Sequence, residues 1–243
     1  MEYHDAKPST ALQTHIHSFW ELKGDDTDQQ WERIFPDGCP GIIVNLGAPC
    51  KTDNGQSTMD YGKTYVVGAM TSFKDTFIDR HTHLLGVCLK PAAFSSFYNY
   101  ASQHELTDHT FEFDLSYSLD AEKIKADSNT YLNRYFLDRK KSSHQPMQPI
   151  LNDIHLSNGN LSISEIARRN FTTVRQLERL FKIQIGLTPK EYVKIIRFQL
   201  ALSMMSDVRK KSLSDIAFEC GFYDHAHLAN EVKLHTGLTP SQL

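Results

Sequence analysis

Long apolar runs are missing from this sequence of 243 residues. No stretch reaches the roughly 18 consecutive apolar residues that a membrane-spanning helix needs. The first twenty residues, which include His4, Asp5 and Pro8, also lack the apolar core of a signal peptide. We therefore expect a cytoplasmic protein with no membrane partner.

Closely spaced cysteines are missing as well. Cys39, Cys50, Cys88 and Cys220 show no C-x-x-C spacing, which predicts free thiols in a reducing compartment. The sequence has no Ser-His-Asp order, no nucleophile elbow and no phosphate-binding loop. We expect no catalytic residue, no bound metal and no cofactor.

An internal repeat occupies the last part of the chain. Residues 162–167 (Ser-Ile-Ser-Glu-Ile-Ala) return as 212–217 (Ser-Leu-Ser-Asp-Ile-Ala), and Gly-Leu-Thr-Pro at 186–189 returns at 237–240. The offset is 50 residues for the first motif and 51 for the second, which we assign to an extra residue at Gly221. A repeat of this period indicates a duplicated supersecondary unit.

The first copy has the pattern of a helix-turn-helix. Ser162 and Glu165 form a capping box, Asn170 tolerates the left-handed conformation of a tight turn, and Thr173 with Gln176 forms a second capping box. The apolar residues of the second helix, predicted to face inward, are Val174, Leu177, Leu180 and Phe181. The candidate DNA contacts on its first turn and polar face are Thr173, Val174, Arg175, Gln176, Glu178, Arg179 and Lys182.

A long helix is predicted to join the two copies. Thr188 is its N-cap, Pro189 occupies N1, and the pattern continues to about Met205, roughly 27 Å at 1.5 Å per residue. Ser212 begins the second copy. Its candidate DNA contacts are Asp224, the predicted cap, and the outward residues His225, Ala226, His227 and Asn230. This spacing places two recognition helices about one DNA turn, near 34 Å, apart.

The duplicated pattern resembles the AraC/XylS family of transcription regulators. The matching residues are Ile166-Ala167, Leu-x-x-Leu-Phe-Lys at 177–182, both Gly-Leu-Thr-Pro segments, Ile216-Ala217 and Gly221-Phe222. The resemblance implies sequence-specific binding of double-stranded DNA, with RNA polymerase as a further partner. The second copy departs from the family with Asn230 in place of Arg and Val232 in place of Phe. An all-helical scaffold that binds protein is the alternative.

The N-terminal part reads as strands. Short alternating segments separated by Gly, Pro and Asp turns are typical of a β-sandwich or small barrel. The predicted strands are 15–22, 32–35, 41–46, 65–69, 73–78 and 84–89. Residues 1–13 are predicted to be a loose lead-in, 51–62 a polar loop and 103–118 irregular. One helix is predicted to begin at Pro91 and another at Asp120, and a linker covers 139–149.

These patterns predict an α+β fold. Residues 1–118 form a β-rich regulatory domain, a cupin-like barrel or sandwich; 119–147 are a helix and linker; 148–243 are an all-α DNA-binding domain with two helix-turn-helix units joined by a long helix. From residue 146 onward, 12 Lys and Arg face 9 Asp and Glu, giving +3, whereas the preceding residues carry −6. A basic domain beside an acidic one suits phosphate contacts by the former alone.

Residues 16–115 are similar to the β-rich domain that precedes the DNA-binding part in some AraC-type regulators. The segments that carry the similarity are Phe19-Trp20-x-Leu22, 35–39 (Phe-Pro-Asp-Gly-Cys), 44–47 (Val-Asn-Leu-Gly), Val67-Gly68-x-Met70-Thr71 and Leu85-Gly86-Val87-x-Leu89-x-Pro91. This resemblance implies a small-molecule effector or a homodimer, and it identifies no effector-binding residue.

Other candidates have simpler interpretations. His81 and His83 lie on one strand face, as in the metal site of a cupin. A metal-dependent cupin enzyme fused to a DNA-binding domain is therefore a second alternative function. The Glu that usually follows in such a metal site is missing here. His15 and His17 have the same spacing. Residues 36–38 (Pro-Asp-Gly) form either a binding loop or an ordinary turn. The aromatic residues that line a pocket or simply fill the core are Trp20, Phe35, Phe73, Phe77 and Tyr98.

Overall fold

A β-rich N-terminal part precedes a helical C-terminal part in the computed structural model, which describes residues 1–98, 102–141, 147–206 and 211–243. The strands of this described part are β1 (Glu2–Ala6), β2 (Ile16–Lys23), β3 (Gln29–Ile34), β4 (Gly41–Asn45), β5 (Cys50–Thr52), β6 (Ser57–Met59), β7 (Thr64–Val67), β8 (Lys74–Asp79), β9 (His83–Leu89) and β10 (Thr110–Glu112). The predicted α+β class is confirmed.

Six strands form one antiparallel sheet in the order β1-β2-β9-β4-β7-β10. In its centre Ile42 of β4 lies opposite Val87 of β9 and Val66 of β7, and all three side chains are buried. The strand pairs β3-β8 and β5-β6 form two smaller sheets.

Helix α1 (Ala121–Arg139) covers one face of the large sheet. The Asp120 side chain caps it by accepting hydrogen bonds from two backbone N–H groups, as predicted. Leu132 and Phe136 are fully buried in the same core as Val87. Because side chains alternate along a strand, the neighbours of Val87 in β9 point to the other face of the sheet.

The structure corrects several sequence predictions in this part. Residues 2–6 form an edge strand instead of a lead-in, with Tyr3 stacked on Trp20 at 6.3 Å. No α-helix begins at Pro91, because Ala92 has a φ of 65°, and only a 3₁₀ turn follows at Phe94–Ser96. The 51–62 loop holds most of the hairpin β5-β6, and the 103–118 segment holds β10 between two 3₁₀ turns.

The C-terminal helices are α2 (Gln148–Leu156), α3 (Ile163–Arg169), α4 (Val174–Gln184), α5 (Pro189–Met205), α6 (Leu213–Glu219) and α7 (His225–Thr236). The predicted linker is too long at its C-terminal end, since α2 begins at Gln148 and accommodates Pro149 in its first turn. Residues 142–146 of that linker lie outside the described residues. Within the described part of the chain, no helix is both long and apolar enough to cross a bilayer.

Helix α5 is shared between two hydrophobic cores. Tyr192 and Ile195 pack with α2, α3 and α4, whereas Phe198 and Ala201 pack with α6 and α7. Its 17 residues, about 26 Å, agree with the prediction. We call α3 with α4 the first head and α6 with α7 the second head.

The turns of the two heads show where the repeat is offset. Phe171, not Asn170, is left-handed in the first turn (φ 50°), and Gly221 is its equivalent (φ 73°). The next backbone N–H groups are also equivalent at an offset of 50 residues. That of Thr172 donates to the carbonyl of Ala167, and that of Phe222 donates to the carbonyl of Ala217. The helix caps Thr173 and Asp224 differ by 51. Assigning the extra residue to Gly221 was therefore wrong: Tyr223 is the insertion.

One predicted capping box is only half formed. The Ser162 hydroxyl accepts from the Glu165 amide, but the Glu165 carboxylate pairs with Arg168 and Arg169 instead of returning to the cap. The boxes at Thr173 and Thr188 are complete.

The β-rich part contacts both heads. The Ser102 hydroxyl donates to the carbonyl of Lys182 at 3.0 Å, and Thr107 donates to that of Gly186 at 2.9 Å. At the second head, Arg33 donates to the carbonyl of Thr236 at 3.0 Å. Sheets and heads are therefore joined at both ends of the helical part.

Candidate nucleic-acid interface

Helix α4 presents a polar face, and its cap and its buried opposite face hold it in place. Thr173 caps its N-terminus, and Leu177 and Phe181 are fully buried. Arg175 and Arg179, four residues apart, lie on the exposed side. Because side chains four apart share one helix face, both guanidinium groups project from the same surface. Glu178 and Lys182 are exposed beside them.

The cations of the first head fall into two groups. On α3, Arg168 and Arg169 lie 2.7 and 2.9 Å from the Glu165 carboxylate, and they lower the pKa of Glu165 to about 2. Over the described ranges, Arg175 and Arg179 have neither a hydrogen bond nor an ion pair with another protein group. Arg175 and Arg179 of α4 are therefore available to an external anion or base edge.

One candidate of the first head differs from expectation, and a second forms the predicted cap. Val174 was predicted to face inward, yet it is 39% exposed, because the first turn of α4 projects beyond the core. The carbonyl oxygen of Gln176 accepts from the Thr173 amide at 3.0 Å, so it closes the capping box. Only the amide nitrogen of Gln176 is left for a ligand.

Helix α7 has the same framework and a different surface. Asp224 caps it by accepting from the His227 amide at 2.7 Å, and Leu228 and Val232 are buried. His225, Ala226 and Asn230 are exposed. Helix α7 has no Arg, so this surface lacks the guanidinium groups that α4 carries.

His227 is held within the second head. Its Nδ1 accepts from the Tyr223 amide at 3.4 Å, its ring packs edge-on against Phe222, and its Nε2 lies 3.8 Å from Glu231. Because of these contacts, the imidazole is less available to an external ligand than the arginine side chains of α4 are.

Two exposed aromatic residues next to the heads were missed. Phe171 is 99% exposed in the turn of the first head, and Tyr223 is 92% exposed just before α7. The signal available in the sequence was that Phe171 falls outside the apolar spacing of the flanking helices.

The other candidates are separated in the structure. His83 Nε2 lies 2.7 Å from Glu21, whereas His81 accepts a hydrogen bond from Arg80, so the two imidazoles do not form a cupin-like ligand pair. His15 is buried, whereas His17 is exposed.

The predicted aromatic set does not line one pocket. Phe35 packs against Phe198 of α5, Phe73 lies under Arg33, and Phe77 packs on Trp31. Trp20 stacks on Tyr3, and Tyr98 is buried in the core beneath α1. Residues 36–38 form a turn, with Gly38 at φ 77°.

Comparison with known proteins finds two family models that match separate parts of the chain. Residues 158–243 match a family model described as a helix-turn-helix domain, and residues 4–112 match one described as a domain of unknown function (DUF6597). The probable transcriptional regulator LumQ of Photobacterium leiognathi is 33% identical over 107 residues, which cover 43% of this chain and 42% of LumQ. The regulatory protein YesN of Bacillus subtilis is 38% identical over 89 residues, 36% of this chain and 24% of YesN.

Solved structures resemble the whole chain. Apo ToxT from Vibrio cholerae has a TM-score of 0.54 at 13% identity and covers 92% of this chain and 96% of that chain. ToxT with a bound unsaturated fatty acid has a TM-score of 0.51 at 15% identity, covering 92% of each chain. These values show a shared fold, with a β-rich domain before the helical domain.

The tandem helix-turn-helix defines the C-terminal domain as one of a class of DNA-binding modules. It resembles the helix-turn-helix domains of AraC-type regulators, as its sequence indicated. The chain spans less than half the length of the curated relatives it matches.

Proposed function

We propose that the protein is a sequence-specific, double-stranded-DNA-binding transcription regulator whose α4 and α7 enter successive segments of the major groove. The observation that carries the proposal is the pair Arg175 and Arg179, exposed and unpaired within the described ranges, on a capped helix that a buried face holds in place. An Arg side chain that donates two hydrogen bonds, to O6 and N7 of guanine, makes the commonest specific base contact in the major groove.

The remaining candidates divide by chemistry. Lys182 is assigned to phosphate, while Thr173, Val174, Gln176 and Glu178 lie at the same surface of α4. On α7, Asn230 is assigned to adenine, and Asp224, His225, Ala226 and His227 lie around it. Phosphate contacts give affinity that falls with salt, and base contacts give sequence preference.

The N-terminal domain is assigned a regulatory role. We assign residues 1–118 to effector binding or homodimer formation, 119–147 to a helix and linker, and 148–243 to DNA. The fatty acid bound by the similarly folded ToxT favours a small-molecule effector. The hydrogen bonds that the 102–107 segment makes with the end of α4 provide a route by which an effector shifts the first head. RNA polymerase is a further proposed partner.

Selection of bound sites from random DNA tests this function. We expect an enriched motif, with a binding constant that falls as salt rises, by a log-log slope of about −0.9 for each phosphate contacted. Arg168→Ala is the matched control for Arg175→Ala, since Arg168 is already paired with Glu165. Failure of the full chain to enrich any motif, together with specific capture of a protein, supports the scaffold alternative instead.

The enzyme alternative has less support. The curated relatives are transcription regulators, and the His81 and His83 rings diverge. We therefore assign no catalytic role.

A further inference from the structure

Three metal-ligating groups meet at the boundary between the β-rich part and α5. The Asp37 carboxylate and the thiols of Cys39 and Cys88 place their ligand atoms within 4.8 Å of one another. Cys39 belongs to the turn before β4, while Cys88 lies in β9, the strand hydrogen-bonded to β4. Residues distant in sequence are thus brought together by strand pairing.

The orientation of these groups follows from the sheet. Val87 and Leu89 of β9 point into the core beneath α1, so Cys88 between them points to the opposite face. The turn at 37–39 folds over that face, and the Asp37 carboxylate accepts the Cys39 amide at 2.8 Å. This hydrogen bond directs the carboxylate toward the two sulfur atoms.

We propose that Asp37, Cys39 and Cys88 form a binding site for a thiophilic divalent cation such as Zn²⁺. Zinc binds thiolate at about 2.3 Å and carboxylate at about 2.0–2.2 Å, which in a tetrahedral site puts the ligand atoms about 3.5–3.8 Å apart. The three ligand atoms, all within 4.8 Å of one another, lie near that spacing. Binding forms two Zn–S bonds and releases one proton from each thiol.

A bound cation would supply the positive charge that these three acidic groups lack. The carboxylate and the two thiols are all acidic groups, and they converge within 4.8 Å of one another. Converging acidic groups disfavour each other's charge, and a bound dication reverses that preference.

The site lies directly against the helix that joins the two heads. An added Cβ at Gly38 would lie 2.7 Å from Cε2 of Tyr192, and Gln199 donates to the carbonyl of Pro36. Phe35 packs against Phe198. The metal would therefore fix the 35–39 segment on α5 and stabilise the boundary between the two parts.

Zinc titration of the reduced, chelator-stripped full chain against a chromophoric competitor tests the site. We expect one Zn²⁺ per chain, with binding weakened by more than about 100-fold in Cys39→Ser, Cys88→Ser and Asp37→Asn, since even outer-shell changes cost 10–100-fold. Cys50→Ser is the matched control, because the Cys50 thiol donates to the carbonyl of Phe77, away from the site. Equal binding by wild type and Cys39→Ser would overturn the proposal.

Two further readouts separate a metal site from a folding defect or a disulfide. Cobalt bound to the wild-type chain should give a thiolate-to-metal absorption band, and zinc should slow deuterium uptake by residues 189–200. A wild-type chain without either effect contradicts the site, whether or not the variants fold. A mass lower by two hydrogen atoms, with Cys39 and Cys88 linked even after treatment with reductant, identifies a disulfide instead.

Discussion

Arg197, in the middle of α5, donates from Nε to the carbonyl oxygen of Gly159 at 2.7 Å. Its Nη1 donates to the carbonyl of Gly221 at 3.2 Å. One side chain therefore connects the turn before the first head with the turn inside the second, and burial lowers its pKa.

Arg197→Ala should destabilise the helical part and loosen the two heads together. Hydrogen bonds to charged groups contribute about 1.5–3 kcal/mol each, so we expect a loss of roughly that size in urea unfolding. Arg134→Ala is the control, because Arg134 is exposed and only weakly paired with Asp138 at 3.8 Å. An unfolding curve unchanged from wild type would show that Arg197 does not join the turns.

Arg175→Ala and Arg179→Ala should each relax preference at one or two neighbouring base pairs. A good Arg–guanine contact contributes about 1–3 kcal/mol of discrimination. Binding to the selected site and to singly substituted sites measures this effect. Both variants should unfold like wild type, since the side chains are exposed. Wild-type affinity and preference in both would contradict the assignment.

The second head should be the weaker of the two. Asn230 can take adenine, but His227 is held by Phe222 and Tyr223 within the head. Changing Asn230 and His227 to Ala should therefore reduce affinity less than changing Arg175 and Arg179. The selected site should have one sharply defined half and one degenerate half, and two equally sharp halves would reverse this ranking.

A proline in α5 should uncouple the heads. Phe198→Pro removes a helical hydrogen bond and introduces a clash, at a cost of about 3 kcal/mol or more. Phe198 is also fully buried and packs on Phe35 and His235, so Phe198→Leu is needed as the control for lost aromatic packing. DNA binding should fall further in the proline variant, while the circular dichroism of the β-rich part persists.

Glu231 should make the second head sensitive to acid. His235 and Lys194, whose Nζ lies 2.6 Å from the carboxylate, lower the pKa of Glu231 to about 2. A pKa lowered by folding gives stability that is present above the unfolded value, near 4.3, and lost as the pH falls toward 2.

Glu231→Gln should therefore lower the free energy of unfolding at pH 7 by an amount on the order of 3 kcal/mol, from about 1.4 kcal/mol per pKa unit. The difference from wild type should shrink between about pH 4.5 and 2. Glu178→Gln, at an exposed site, serves as the control. A difference that stays constant with pH would contradict the assigned ion pairs.

The sequence alone determined helices α3 to α7 of the C-terminal part, because their starts depend on local chemistry, whereas α2 was not predicted. Caps at Ser162, Thr173, Thr188, Ser212 and Asp224 satisfy N–H groups within three residues, and the apolar spacing between them sets the buried face. The order of strands in the sheet could not be predicted from the sequence in the same way, since neighbouring strands such as β2 and β9 are far apart in the chain.

Only the tertiary structure decided which distant residues meet. Cys39 and Cys88 are unremarkable in sequence, yet the pairing of β4 with β9 brings their thiols together beside Asp37. The pairing of Arg168 and Arg169 with Glu165 is local by contrast, because these residues lie three and four apart on α3. Local patterns set the positions of helices α3 to α7, but contacts between elements depend on the three-dimensional path of the chain, which no short-range pattern encodes.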